Sequence, residues 1–317
     1  MSGFLAFCDR YMDEAACIEA LAKLRWPDRF CCDKCKCNKA YHLESRPRIF
    51  ECAGCGHQHS ITAGTIFHKT RTPLRKWFIA AYLISHDKRG VSAMMLMREL
   101  SIRYDTAWLM AHKLRHALTE NEAFKLTGFV EIDEAFYGGR KQKGNRGRAQ
   151  IGGKAMIVIA VEKKVPASKK NKGIKQQGYI AGSARVAVLP NATAVQLGSF
   201  IRSNVKPGAL IVTDAFKGYT GLGEYRHLPI VQGAGENAGV HMPIVHKLFS
   251  NVKTWLNGTY HGVSTKHLPR YLREWSYRFN RRGRVAELDT FLLRRAVNRA
   301  TITYGQLVAG RMVEGAT

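Results

Sequence analysis

The stretch GFVEIDEAFYGG, Gly128–Gly139, decides how the second half of this chain is read. Its apolar residues follow the spacing of a strand, and Asp133 stands in the middle with Ile132 before it and Glu134 after it. An acidic side chain in that setting is costly unless it is paired or binds a cation. Working outward, AMIVIAVEKK (155–164) and GYIAGSARVAVLP (178–190) read as two more strands, and TAVQLGSFIRSNV (193–205) as a helix. The buried run ALIVTDAF (209–216) then ends on a second acid, Asp214, and is followed by HLPIV and by the amphipathic helix of HKLFSNVKTWLNGTYHGVS (246–264).

Three strands able to pair as a meander, then a helix, a strand and further helices, is the element order of a ribonuclease H-like fold. Asp133 and Asp214 on neighbouring strands could hold Mg²⁺ or Mn²⁺ through hard oxygen ligands, leaving positions for water and a substrate phosphate. A pair of ions about 3.5 to 4 Å apart would then serve an in-line displacement at phosphorus. Such a site wants a third protein oxygen. Asn251, with 36 residues between it and Asp214, offers a side-chain carbonyl of the right type but without charge. On the same helix His246, Lys247 and Lys253 could contact phosphates, as could His261 and Lys266 beyond it. Glu274, in REWSYRFNRR, is a rival third carboxylate, although its aromatic neighbours point instead to a packed helix and an ion pair with Arg278 or Arg281.

The bulk composition agrees with a polyanionic partner. Fifty Lys+Arg against 24 Asp+Glu give the 317 residues a formal charge of +26 and a pI near 10.0, the electrostatic footprint of a nucleic-acid binder. No apolar run is long enough for a membrane span, and the charged N-terminus lacks the order of a signal peptide, so a cytoplasmic, nucleoid-associated address is expected. GGRKQKG lacks the context of a phosphate loop, so no nucleotide cofactor is expected. The Lys-, Arg- and Gly-rich segments 140–154 and 162–178 read as solvated loops able to track a DNA backbone.

Six of the eight cysteines crowd into residues 31–55. Cys32-x2-Cys35 and Cys52-x2-Cys55, separated by 16 residues, have the spacing of a four-cysteine Zn²⁺ site. Cys31 and Cys37 are spare, His57 and His59 are weak substitutes, and Cys8 and Cys17 read as small buried hydrophobes. Arg46 and Arg48 give the ribbon a basic surface. Downstream, TPLRKWFIAAYLISHDK (72–88), SAMMLMREL (92–100), a tight turn and DTAWLMAHKLRHALTE (105–120) are ordered like a helix-turn-helix. In its last helix Trp108, Leu109, Leu114 and Ala117 are expected to be buried, leaving His112, Lys113, Arg115 and His116 to face DNA.

The expected architecture is a multi-domain α/β protein. A helical leader (1–24) precedes a zinc ribbon (25–66), a helix-turn-helix region (67–124), a ribonuclease H-like catalytic domain (125–300) and a tail (301–317).

These residues resemble a known family. RWP, CDKC, CAGC, GTIFHKTRTPLRKWF, EIDEAFYGG, VTDAFKGY, FSNVKTWLNGTYHGVS and EWSYRFNRR occur in one order between Arg25 and Arg282, as in insertion-sequence DNA transposases of the DDE superfamily, in the branch with an N-terminal zinc ribbon and an Asp-Asp-Asn triad. The resemblance places Asp133, Asp214 and Asn251 on catalytic positions and Cys32, Cys35, Cys52 and Cys55 on zinc positions. Asp33 departs from the family's usual Cys-Pro-x-Cys knuckle. What the resemblance implies is binding of terminal inverted repeats, cleavage of strand ends and joining of 3′-hydroxyls to target DNA. Bringing two ends together requires a homo-oligomer. Two rivals remain: a catalytically inactive DNA-binding regulator derived from such an enzyme, and a nuclease without strand transfer.

Overall fold

The computed structural model describes residues 3–119, 124–138, 154–165, 179–231 and 242–309. The basic segments at 140–154 and 162–178 fall mostly outside these, as do Gly139 and the tail beyond 309. The chain divides into two compact units, one formed by the residues up to Thr119 together with those from Arg281 onward, the other by Glu120–Asn280.

The first unit opens with α1 (Phe4–Arg10) and α2 (Glu14–Arg25), the latter capped by Asp13, whose Oδ1 accepts the N–H of Ala16 at 2.8 Å. Strands β1 (Ala40–His42), β2 (Ile49–Cys52) and β3 (Gln58–Ser60) form a small antiparallel sheet. Helix α3 (Leu74–His86) starts after Pro73 and lacks a cap of its own. Glu14 of α2 supplies one: its carboxylate accepts from Leu74 N at 3.0 Å and Arg75 N at 3.2 Å, and Arg48 of the ribbon pairs with it at 2.6 Å. One acid thus fastens the leader, the ribbon and the helical region together, where the sequence reading had treated them as separate.

Helix α4 (Ala93–Leu100) is capped by Ser92 and ended by Ser101 in the left-handed region (φ 46°), and α5 (Tyr104–Ala117) follows at once. Here the expected basic face of α5 is corrected. His112, Lys113, Arg115 and His116 are 1%, 8%, 2% and 3% exposed. Arg115 donates to the carbonyl of Val91 at 2.9 Å, and burial lowers the pKa of Lys113. Beside α3 and α4, a helix that the expected boundaries assign elsewhere packs on α5. After Asn280 the chain returns to this unit, and α9 (Leu288–Val297) packs against α2, α3 and α5. Leu288, Leu292, Leu293, Ala296 and Val297 are buried, and Arg295 donates to the carbonyls of Leu118 and Thr119. The C-terminal half of α5 is therefore enclosed, and the exposed part is its start, with Arg103, Tyr104 and Asp105 open to solvent. The described chain closes with the short α10 (Tyr304–Val308).

The second unit is built on a five-stranded sheet. β4 (Phe129–Tyr137), β5 (Ala155–Lys164) and β6 (Ile180–Leu189) form the antiparallel meander. After α6 (Ala194–Asn204), β7 (Leu210–Asp214) pairs parallel with β4, and β8 (Arg226–Ile230) parallel with β7. The order is β6-β5-β4-β7-β8. Both faces are covered, which is why AMIVIAVEKK reads as a continuous apolar run rather than an alternating one. Ile157, Ile159 and Val161 pack with α7 (Pro243–Tyr260) and α8 (Leu268–Asn280), while Met156, Val158 and Ala160 pack with α6. This second unit ends at Asn280, twenty residues before the border at 300 expected for the catalytic domain.

Candidate functional site

Two clusters of metal-ligating groups stand out among the described residues. In the ribbon, the Sγ atoms of Cys32, Cys35, Cys52 and Cys55 all lie within 4.8 Å of one another, with Cys32–Cys55 at 3.7 Å and Cys35–Cys52 at 3.4 Å. Sulfurs placed about 2.3 Å from a tetrahedral Zn²⁺ would be about 3.8 Å apart, so the donor set fits. Each Cys-x-x-Cys turn ends in a residue with positive φ, Lys36 (61°) and Gly56 (68°), and closes with an N–H to the carbonyl of its first cysteine. Asp33 therefore leaves the first knuckle's turn intact. Cys31 and Cys37 are outside the group of four.

His59 lies beside the four thiols: its Nε2 is 3.3 Å from Cys32 Sγ and its Nδ1 is 3.6 Å from the Asp33 carboxylate. The N–H of Cys35, with this ring assisting, pulls the Cys32 thiol down to about 5.

The second cluster lies where β7 ends, beside the middle of β4. Glu131 and Val212 form the last registered pair of these parallel strands, and Asp133 and Asp214 each stand two residues beyond it. The register alone therefore sets the two aspartates side by side, Asp214 at the carboxyl end of β7 and Asp133 in the middle of β4. Carboxylate oxygens of Asp133, Glu134 and Asp214 lie within 4.8 Å of one another. Asp133 accepts the N–H of Glu134 at 2.9 Å, and Asp214 that of Phe216 at 3.2 Å. Three hard, anionic donors this close repel one another unless a cation joins them, and a divalent ion of the Mg²⁺ or Mn²⁺ type fits the set.

Helix α7 is held along β4. Glu131, wholly buried, accepts the N–H groups of Ile244 and Val245, each at 3.0 Å, while Lys163 Nζ stands 3.5 Å from its other oxygen. His246 Nε2 is 3.9 Å from Asp133 Oδ2, and Tyr137 donates to Asn257 Oδ1 at 3.1 Å. The fit is metric: thirteen helical residues and six strand residues both span about 20 Å.

These contacts fix which flank of α7 meets the strand. His246, Lys253 and Asn257 share it, within about 40° of one another around the axis at about 100° per residue. Asn251 is exposed and lies about 120° to 140° around the helix from His246 and Asn257. The fold thus brings Asp133 and Asp214 together, and it turns Asn251 to the other flank. Lys247 is exposed and off the stripe, while His261 ends α7 in the left-handed region (φ 51°) and Lys266 is exposed beyond it. Glu274 is fully buried, paired with Arg278 at 2.5 Å and accepting from Tyr260 at 3.3 Å, which is the packed-helix reading of that residue.

Sequence reasoning gave no role to Glu131, Glu134 or Tyr219. Tyr219 is buried and donates to Glu134, and burial, with the three carboxylates nearby, pushes its phenol well above the usual tyrosine range. The doubled acid Asp133-Glu134 was a visible signal; nothing in the sequence marks Tyr219.

Against this geometry the comparisons are direct. The ISXO2-like transposase domain matches residues 125–280, and the transposase zinc-ribbon domain matches residues 12–58. This chain belongs to the insertion-sequence transposases of the DDE superfamily that carry an N-terminal zinc ribbon. It is 26% identical over 298 residues to an uncharacterized protein in transposable element ISH50 of Halobacterium salinarum, covering 89% of this chain and 97% of that one. It is also 29% identical over 101 residues to an uncharacterized transposase-like protein of Haemophilus influenzae, covering 29% of this chain and 77% of the relative. The transposase domain ends at the same residue as the second compact unit, Asn280. Among the described residues no helix is long and apolar enough to cross a membrane.

Proposed function

We propose that this protein is an active DNA transposase, which binds the terminal inverted repeats of its element, cleaves strand ends and joins the 3′-hydroxyls to target DNA. The observation that carries the reading is the convergence of Asp133 and Asp214 where β7 ends beside the middle of its parallel neighbour β4. The sheet order β6-β5-β4-β7-β8, with one antiparallel meander and two parallel partners, supports a ribonuclease H-like catalytic domain. When bound, divalent ions at such a site activate the attacking oxygen and stabilise the leaving one.

The chain's own residues do the rest. Asp133 and Asp214 supply oxygens; Asn251, the third position of the family resemblance, would reach the site only after a rotation or shift of α7. His246 and Lys253 on the strand-facing flank hold phosphate next to the carboxylates, and the net charge of +26 draws the polyanion in.

Recognition of the repeats falls to the ribbon and to α4–turn–α5, read as a helix-turn-helix. Arg103 and Tyr104 at the exposed start of α5 take the part first given to His112, Lys113, Arg115 and His116. The start of a recognition helix is where such motifs reach base edges. The working form is a homo-oligomer holding two DNA ends, in the cytoplasm at the nucleoid.

The test is cleavage and joining of repeat-ended DNA by the purified protein with Mg²⁺ or Mn²⁺. Nicks without joined products would leave only a nuclease. DNA binding without either would leave a regulator, and products unchanged by Asp133→Ala or Asp214→Ala would remove the metal site from the reaction.

A further inference from the structure

The third oxygen donor of the metal site need not come from α7. Asp133 and Glu134 are consecutive on β4, so their side chains leave opposite faces of the sheet. Asp133 faces α7, where it meets His246. Glu134 faces the α6 side, where Tyr219 belongs to the apolar cluster built on Leu197, Phe200 and Ile201. Their carboxylates nonetheless come within 4.8 Å of each other and of Asp214. Pairing of β4 with β7 stops at Glu131 and Val212. Beyond that point β4 runs on, paired with β5, and side chains from either face can turn into the space past the end of β7.

Among the described residues, the buried acids of this unit have structural partners: Glu131 at the start of α7, Glu162 at Thr127 N, Ser183 N and Lys164, and Glu274 at Arg278. Tyr219 reaches Glu134 from a site 4% exposed, and its phenol is a donor without charge. It orients the carboxylate through a hydrogen bond that does not neutralise it. A hydrogen bond to a ligating carboxylate from the side away from the ion fixes that ligand's direction.

We propose that Glu134 is the third carboxylate ligand of the divalent-metal site, in company with Asp133 and Asp214, and that Tyr219 is its positioning residue. The inference rests on the metal-dependent reading of the Asp133–Asp214 pair and extends it. It gives this chain a fully anionic donor set on the sheet itself, in a family branch whose α7 position is a neutral asparagine.

The test is Mn²⁺ binding to the zinc-loaded, full-length protein without DNA, followed by titration calorimetry and by the Mn²⁺ electron paramagnetic resonance signal. Thermal melting confirms that each variant is folded. Glu134→Gln, nearly isosteric, is expected to weaken Mn²⁺ binding at least about tenfold, and Tyr219→Phe by about 10- to 100-fold, as removal of a group hydrogen-bonded to a metal ligand does. Glu134→Asp should recover part of the loss because it keeps the carboxylate. Wild-type affinity in Glu134→Gln beside lost binding in Asp133→Asn overturns the role of Glu134 and leaves the transposase reading intact. Wild-type affinity in Asp133→Asn removes the metal site altogether. If Glu134→Gln binds weakly while Tyr219→Phe binds as the wild type does, the positioning role of Tyr219 is overturned.

Discussion

Glu131 accepts the backbone N–H of Val245 at 3.0 Å from a position with no solvent exposure, tying the first turn of α7 to the central strand two residues before Asp133. The start of a helix carries partial positive charge, so the anion is well placed there, with Lys163 as its second partner. Glu131→Ala would leave two amide groups and a largely buried ammonium without their acceptor. A loss of about 3–5 kcal/mol in chemical denaturation is expected. A loss under about 1 kcal/mol would show that α7 is held by its apolar face alone.

Asp133→Ala and Asp214→Ala should each abolish cleavage and joining while DNA affinity, read by gel shift, stays near wild type. Asn251→Ala is the finer probe. If α7 turns to bring the amide to the ions once DNA is bound, joining is lost in this variant although Mn²⁺ binding without DNA is unchanged. Full joining would retire Asn251 from the site.

Zinc removal by a strong chelator should unfold the ribbon, because sheet β1-β2-β3 is small and its strands are only three or four residues long. His59→Ala takes away the ring beside Cys32 and the partner of Asp33. It should speed zinc release to a chromogenic chelator by about 10- to 100-fold with the four thiolates still present. An unchanged rate would show that the ring only fills space.

Arg115→Ala and Arg103→Ala separate structure from recognition in α5. Arg115 donates to Val91 O in a buried setting, so its loss should lower the melting temperature. Arg103 is exposed. Its loss should leave melting unchanged, weaken binding to repeat DNA and, if it meets a phosphate, reduce the slope of log K against log salt by about one. The opposite pattern would restore the original reading of the basic face. On α7, Lys253→Ala should reduce the same slope more than Lys247→Ala.

Much was legible in the sequence because it is local or periodic. Cys-x2-Cys spacing, the apolar runs of β4 to β7, the acids set within them and the caps at Asp13 and Ser92 depend on neighbours a few residues away. What was missed depends on partners far along the chain. Amphipathic spacing says that α5 has an apolar stripe; it does not say that α9, some 170 residues later, packs on it together with α3 and α4, or that His112 to His116 are buried. Burial of a basic residue is a property of what packs on it.

The same division runs through the site. The sequence by itself determined that a zinc knuckle pair, a strand-borne Asp133 and a strand-ending Asp214 exist in this protein, since residue type and spacing suffice for each. Only the tertiary structure decided that the parallel register of β4 and β7 makes the two aspartates neighbours, that Glu134 and Tyr219 join them, and that Asn251 sits on the far flank of α7. The reason is that strand register and helix rotation are set by long-range packing, and a side chain's direction follows from them.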